Sequence, residues 1–358
     1  MKIIKVRSPF FVTVNETGQT GSKVELFIWN KGTTEPSIPT YTLSKLIPSA
    51  TQLKNNYNIS NYIREFINPI KAALVDLPTE EDNNNWAICK VKRYKLVGTT
   101  YTLLDIIEYV CIDAFTFYNE GQQLEIEPSA SAPALVLNNR NIISTYPFNG
   151  YLNIICQKQS DFSLYAVYLS QTGAVIGGVI ILNADTSDEY FNFKVPFKWD
   201  SSTDEYQTLF LSYDEIEIFE KTTIKIEECK YNWVNCSFVN RYGGWEFLTF
   251  FKQQTNTITT KGTDYKLMPQ DINYNVSIGQ TQRININGSQ TVKLNTGYVD
   301  ENYSELIFDL LLSETVLLDD KPVTLKTQTS DLKTVLKDRM INYEIEFEYA
   351  YGLINDVI

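Results

Sequence analysis

The sequence predicts a mainly β protein, built as two or three β-sandwich-like domains with two short helices. Three observations lead there. Aromatic residues make up 13% of the chain, with 23 Tyr and 19 Phe, and aromatic and β-branched side chains suit a pleated, half-buried surface. Alternating apolar runs recur at spacings near the ~8 to 12 residues expected of a sandwich or barrel. Helical three-and-four spacing of apolar residues marks only two stretches. At 358 residues the chain exceeds the size at which one core stops growing. We divide it into an N-terminal β-sandwich-like domain with a short helix (1–130), a central β-sandwich domain (134–268) and a C-terminal β-rich domain with one helix (269–358). The boundary rests on the small, twice proline-marked stretch from Pro128 to Pro133.

Taken in order, Phe10–Val14 and Val24–Trp29 read as strands joined by a polar, Gly-punctuated hairpin loop over Asn15–Gly21. Tyr41–Leu46 is a third strand, kept short or at an edge by Pro36, Pro39 and Pro48. Ser60 stands as an N-cap before Ile63, Phe66, Ile67 and Ile70, one apolar face of a helix that Pro69 kinks or ends. A loop over Leu77–Asn85 leads into strands Trp86–Val97, Tyr101–Ile107 and Tyr109–Tyr118.

The central part carries strands at Tyr151–Cys156, Ser163–Leu169, Val175–Leu182 and Tyr190–Val195. Gly177 and Gly178 interrupt the third, as at a bulge or a close strand approach. Ile216, Ile218, Ile224 and Ile226 flank Glu220-Lys221-Thr222-Thr223, which reads as a hairpin turn with its charges facing out. From Asp271 to Ile278 polar and apolar residues alternate cleanly, as in a strand. Asp300 caps a second helix whose face is Tyr303, Leu306, Ile307, Leu310 and Leu311. A hairpin follows, turning at Asp319–Pro322, and the last strand alternates Tyr343, Ile345, Phe347, Tyr349 and Tyr351 with Glu344, Glu346 and Glu348.

Composition excludes more chemistry than it suggests. Histidine is absent and the formal charge is −12. The first fact removes His-based triads, His-ligated zinc and the two-His iron site. The second argues against direct nucleic-acid binding, since phosphate contacts need patches of Lys and Arg. Cys89, Cys111, Cys156, Cys229 and Cys236 lie in apolar runs without a Cys-x-x-Cys spacing, so they read as buried free thiols of a reducing compartment. The N-terminal apolar run is too short for a signal peptide, and none reaches the ~18 residues of a membrane span, so no membrane insertion is expected.

Carboxylates remain as possible catalysts. Asp113, Glu120, Asp214, Glu215 and Glu217 can be named, but nothing selects a pair. Asp185, Asp188 and Glu189, or Asp319 and Asp320, lack the ordered oxygen ligands of a calcium loop. The expectation is therefore no catalytic residue, no cofactor and no metal.

The most distinctive stretch is Asn235–Gln254, where two β-type runs flank Gly243-Gly244 and the aromatics Tyr242, Trp245, Phe247, Phe250 and Phe251 cluster. They read either as a stacking platform for sugars or bases or as core between sheets; Trp245, Phe247 and Thr249 on one strand face favour the core. Gly243-Gly244 supplies a tight approach or a positive-φ turn.

Three segments together resemble virion structural proteins of tailed phages infecting Bacteroidota, including crAss-like phages. They are Ser22–Gly32 with Tyr57–Ile63, the Asn235–Lys252 run, and the Asn342–Ala350 strand after Leu310–Leu325. The resemblance implies a non-enzymatic building block of the tail or head-tail connector. Such a protein assembles by β-sheet contacts into a homo-oligomeric ring or adaptor beside other tail, portal or connector proteins, and is localised to the virion after assembly in the host cytoplasm. Asn240, Tyr242, Gly243, Gly244, Trp245, Phe247, Tyr343, Phe347 and Tyr349 are its markers or candidate interface residues. Two alternatives stay open: a tail component that binds a receptor or a host-surface glycan, and a carboxylate-based polysaccharide depolymerase.

Overall fold

Strand makes up 57% of the protein and helix 7% in the computed structural model, so the mainly β class holds, with several antiparallel sheets and two helices. The structure describes residues 2–48, 53–74, 76–80, 85–121, 126, 134–139, 143–145, 150–157, 163–182, 190–197, 204–213, 216–226, 230–268, 271–299, 303–327 and 341–355. The Pro128–Pro133 stretch, Cys229, the Asp214-Glu215 and Asp185 to Glu189 acids and the Asp300 cap lie outside them.

The first half opens with β1 (Lys2–Lys5), β2 (Phe11–Val14), β3 (Gly21–Trp29), β4 (Tyr41–Leu46), β5 (Asn55–Asn58) and the single turn α1 (Ser60–Arg64). It continues through β6 (Thr79–Glu80), β7 (Trp86–Val97) and β8 (Thr100–Ile112) to β9 (Ala134–Val136), β10 (Ile143–Thr145) and β11 (Tyr151–Gln157). Then come β12 (Leu164–Leu169), β13 (Val175–Leu182), β14 (Tyr190–Pro196), β15 (Tyr206–Tyr213) and β16 (Ile216–Lys225). The rest comprises β17 (Val234–Val239), β18 (Trp245–Phe250), β19 (Thr255–Lys266), β20 (Thr281–Val299), α2 (Tyr303–Leu311), β21 (Val316–Leu318), β22 (Lys321–Leu325) and β23 (Ile341–Tyr349).

Two units divide these elements. One comprises 1–225, 238–247 and 312–314; the other 226–237, 248–311 and 315–358. In the first, β1-β8-β7-β3-β4 form a sheet whose β1–β8 pair is parallel. Strand alternation gives this sheet two apolar faces. Ile4, Leu26, Cys89, Val91 and Cys111 point to a core shared with Val12, Tyr57 and Ile63, whereas Ile3, Trp86, Val110 and Ile112 point to one shared with Leu137, Ile155 and Tyr190. The unit also holds sheets of order β10-β16-β15-β12-β13 and β6-β14-β11-β9, and the β2-β5 pair. Register shifts in the β12–β13 pairing place irregularities beside Gly177, as the sequence suggested.

Several expectations are corrected here. β2 does not form a hairpin with β3; it pairs with β5, Phe11 opposite Asn58. The 15–21 segment turns at Gly18, φ +73°, and Gln19 donates its Nε2 to the carbonyls of Val14 and Leu53, which redirects the chain. Ser60 is not the cap. It is the first helical residue, its hydroxyl donating to Ser8 O and accepting from Phe10 N, while Asn58 Oδ1 accepts from Ser60 N. The helix stops at Arg64, well before Pro69. The two strands expected over 101–118 are one strand ending at Ile112: its pairing with β7 runs unbroken through Glu108, opposite Lys90, and the register shift lies elsewhere, opposite Arg93 and Tyr94.

In the second unit, order β18-β17-β21-β22-β23-β20-β19 runs across a seven-stranded sheet. The residues of β17 and β18 nearest their connecting turn, within 238–247, belong to the first unit. Asp319 and Asp320, φ +45° and +65°, make the two-residue turn between β21 and β22, the paired left-handed conformation that matches strand twist. β23 keeps the predicted alternation as far as Phe347, with Tyr343, Ile345 and Phe347 buried and Glu344 and Glu346 exposed, but Glu348 and Tyr349 are both half-buried and Tyr351 lies exposed beyond the strand. On α2, Tyr303, Leu306, Ile307 and Leu310 are buried as expected. The alternating 271–278 segment is not a strand. It is a turn followed by a 3₁₀ turn at Val276–Ile278, where Asn275 Oδ1 accepts from Ser277 N, a local bond that competes with strand pairing.

Phe347 is fully buried on a central strand, its ring edge-on to Phe250 at 5.8 Å. Phe347→Ala should destabilise the protein by about 3 to 5 kcal/mol and Phe347→Leu by much less. Urea unfolding of both variants measures the difference.

Candidate functional site

The turn joining β17 to β18 is a buried polar assembly built inside the first unit. Asn240 N donates to Gly244 O at 2.9 Å, and Gly243 N to Asn240 O at 3.1 Å. The Asn240 side chain closes the same turn: Oδ1 accepts from Tyr242 N and Gly244 N, at 2.9 and 3.1 Å. Its Nδ2 faces the other way, donating to Leu137 O at 2.7 Å and to Glu246 Oε1 at 3.2 Å.

Each glycine has a separate steric reason. Gly243 has φ +83°, and a Cβ there would also meet the Asp113 backbone at 3.2 to 3.3 Å. Gly244 has ordinary φ, but a Cβ would lie 2.4 Å from Leu137 O. The sequence offered a positive-φ turn or a close approach; the pair divides the two tasks.

The segment 137–139 is held against this turn by reciprocal bonds. Asn138 Nδ2 donates to Trp245 O, and Asn138 Oδ1 accepts from Asn153 N, both at 2.7 Å. Trp245 N donates to Asn153 Oδ1 at 2.9 Å, and Asn139 N to Glu246 Oε1 at 2.7 Å. Lys221 completes the group, its Nζ donating to Asn139 O at 2.9 Å and pairing with Glu246 Oε2 at 3.1 Å. Both side chains of this ion pair are 0% exposed.

Lys221 corrects an expectation: it lies not in an exposed turn but in the middle of continuous β16, opposite Leu209. Burial pushes its ammonium below the usual lysine range, and Glu246 opposes that shift. Two charges withdrawn from water need both each other and further hydrogen bonds, and the Asn139 backbone and the Asn240 amide supply them. One local hint exists, a lone charged residue, Glu246, within the apolar Trp245–Phe251 run. Nothing local announces its lysine, because strand pairing and sheet packing bring the two together across 25 positions.

Trp245 and Phe247 belong to the core, 2% and 5% exposed. Phe247 packs edge-on against Tyr151 and Phe197, centroids 4.8 and 6.0 Å apart. Tyr242 is half-buried, between the guanidinium of Arg241 at 4.8 Å and the ammonium of Lys5 at 5.9 Å. The remaining markers fall in the second unit. Tyr343 and Phe347 are buried, and Tyr349 is half-buried beside Tyr351, rings 5.5 Å apart. Burial gives Asn240, Trp245, Phe247, Tyr343 and Phe347 interior work rather than an intersubunit surface; Tyr242 and Tyr349 have surface to offer.

Among the described residues the nameable carboxylates Asp113, Glu120 and Glu217 do not converge. Glu120 accepts from Phe117 N and pairs with Arg241 at 3.2 Å, and Glu217 is exposed on β16. Asp113 is buried; burial raises its carboxyl above the usual range, against the pull of Arg7 and Arg64. Among the described residues no cluster of three metal-ligating side chains occurs, and no helix is long and apolar enough to cross a membrane. Cys89, Cys111, Cys156 and Cys236 are buried. No protein-family model matches the chain, and no curated protein sequence matches it.

Lys221→Met alone strands the Glu246 carboxylate and should cost about 3 to 5 kcal/mol, whereas Lys221→Met with Glu246→Gln should cost clearly less than the two single changes added together. Denaturant unfolding of the four proteins of this cycle checks the coupling. Asp113 has a folded pKa above its unfolded one, so its contribution is fully present below the unfolded value and is lost as pH rises through the folded one. Asp113→Asn should therefore match the wild type in stability at about pH 3 and exceed it increasingly towards about pH 7. Parallel thermal melts across that range would show a constant difference if the carboxyl were unperturbed.

Proposed function

We propose that this chain is a non-enzymatic virion structural protein of the tail or head-tail connector of a tailed phage, assembling by β-mediated contacts into a ring or adaptor. The observation that carries the reading is how the Asn235–Gln254 stretch uses its chemistry. Its Asn240 amide, Glu246 carboxylate and Trp245 and Phe247 rings are directed into the protein, where the polar groups fasten backbone to backbone, as suits a scaffold segment that fixes a hairpin rather than presenting reactive groups.

The segments that carry the resemblance also have structural partners of their own. Ser22 Oγ and Tyr57 Oη lie 2.7 Å apart, and Tyr57 Oη donates to Ser22 O, so the first two segments are bonded to each other. A glycan-binding role would need an aromatic face open to a sugar ring, and the Trp245 ring is enclosed. Trp199 lies outside the described residues.

Mass spectrometry of washed, purified particles is the test. The chain should be present at a fixed copy number per particle, of the order expected for a ring. Its absence from particles, or clearing of host capsule by the isolated protein, would sink the assignment.

A further inference from the structure

β19 and β20 form a hairpin that outruns the sheet to which it belongs. β20 meets β23 only from Thr291 to Val299, yet its pairing with β19 continues outward to Thr281 opposite Lys266. Ten of the twelve β19 residues are exposed. Cross-strand contacts stiffen this arm: Arg283 pairs with Asp264 at 3.0 Å, and Tyr265 Oη donates to Gln282 Oε1 at 2.6 Å. At its base Leu353 N donates to Gly288 O, and Asn287 exchanges hydrogen bonds with the backbone of Ile354.

The arm ends in an apolar tip. Met268, Ile272, Tyr274, Val276 and Ile278 are 85%, 95%, 59%, 80% and 61% exposed, and four of them line a groove of about 580 Å³. Large apolar side chains exposed together, rather than scattered singly, mark an interaction surface. Charge separates this segment from the rest of the chain. Residues 255–290 hold Lys261, Lys266 and Arg283 against Asp264 and Asp271, a net of +1, so the remainder carries −13 of the total −12.

We propose that this arm is the self-association element of the protein, its apolar tip docking on a second copy of the same chain. Two acidic bodies repel each other at close range, whereas an arm of opposite net sign approaches an acidic body favourably. Burying the tip then supplies the apolar core of an interface. A long exposed edge strand invites indiscriminate pairing. Here the register shift at Gly262, with Asn285 at φ +52° opposite, interrupts β19 midway, so specificity falls to the tip. The inference rests on the assembly reading above and names the contact it requires.

Sedimentation velocity of the full-length protein, from about 1 to about 100 µM, tests it without particles. The wild type should associate with rising concentration, and less so in high salt. The double variant Ile272→Asp/Val276→Asp should associate on the order of 100-fold more weakly, with unchanged circular dichroism and thermal unfolding, since both side chains are exposed. A wild type that stays monomeric throughout, or a variant that associates like the wild type, would overturn the assignment of the arm while leaving presence in particles unaffected. Self-association that the double variant loses would support the arm even for a chain missing from particles.

Discussion

The buried Lys221–Glu246 pair is the constraint on which the first unit turns. An ion pair wholly removed from water persists only where both charges are neutralised by each other and their remaining hydrogen-bonding capacity is met. That requirement reaches well past the two residues. Glu246 Oε1 takes the Asn139 amide and the Asn240 side chain, and Lys221 takes the Asn139 carbonyl. Three segments far apart in the chain, 137–139, β16 and the β17–β18 turn, are thereby fixed in one relative arrangement. Hydrophobic packing of Trp245, Phe247, Tyr151 and Phe197 surrounds them, but packing alone tolerates shifts that a hydrogen-bonded network does not.

The same logic explains why a glycine pair stands at 243–244. Leu137 O leaves no room for a Cβ at Gly244, while Gly243 takes the positive φ of the turn and lies close against the Asp113 backbone. Free cysteines belong to this economy too: Cys89 and Cys111 sit among Val24, Leu26 and Val91 as small apolar fillers. The residues that mark the chain by resemblance are thus mainly those on which its interior depends. The exposed β19–β20 arm, which carries no marker, is where it has surface to spend.

Much of the fold was legible because period and turn chemistry are local. β7, β13, the β21–β22 turn at Asp319-Asp320 and the alternation of β23 follow from residues within a few positions of one another. What was misread failed for physical reasons. The 271–278 alternation has the period of a strand, but the Asn275 side chain accepts from Ser277 N and the apolar residues are exposed. β8 reads as two strands because Glu108 interrupts its apolar run, yet Glu108 pairs with Lys90 of β7 in an unbroken register. In the 15–21 segment, turn composition was recognised, but turn direction depends on Gln19 reaching Leu53 O.

By itself the sequence determined a β-rich class, the core placement of the Trp245 cluster, the need for glycine at 243–244 and the burial of thiols, since each depends on side-chain type and short-range spacing. Tertiary structure alone decided that Lys221 goes inside and that the acid meeting it is Glu246. It also decided that β2 pairs with β5, and that the hairpin over 255–290 extends beyond its sheet. A charge can be buried only where a distant partner has been delivered to it, and a strand is covered only where another strand arrives; both outcomes are set by the path of the chain through space, which local pattern does not encode.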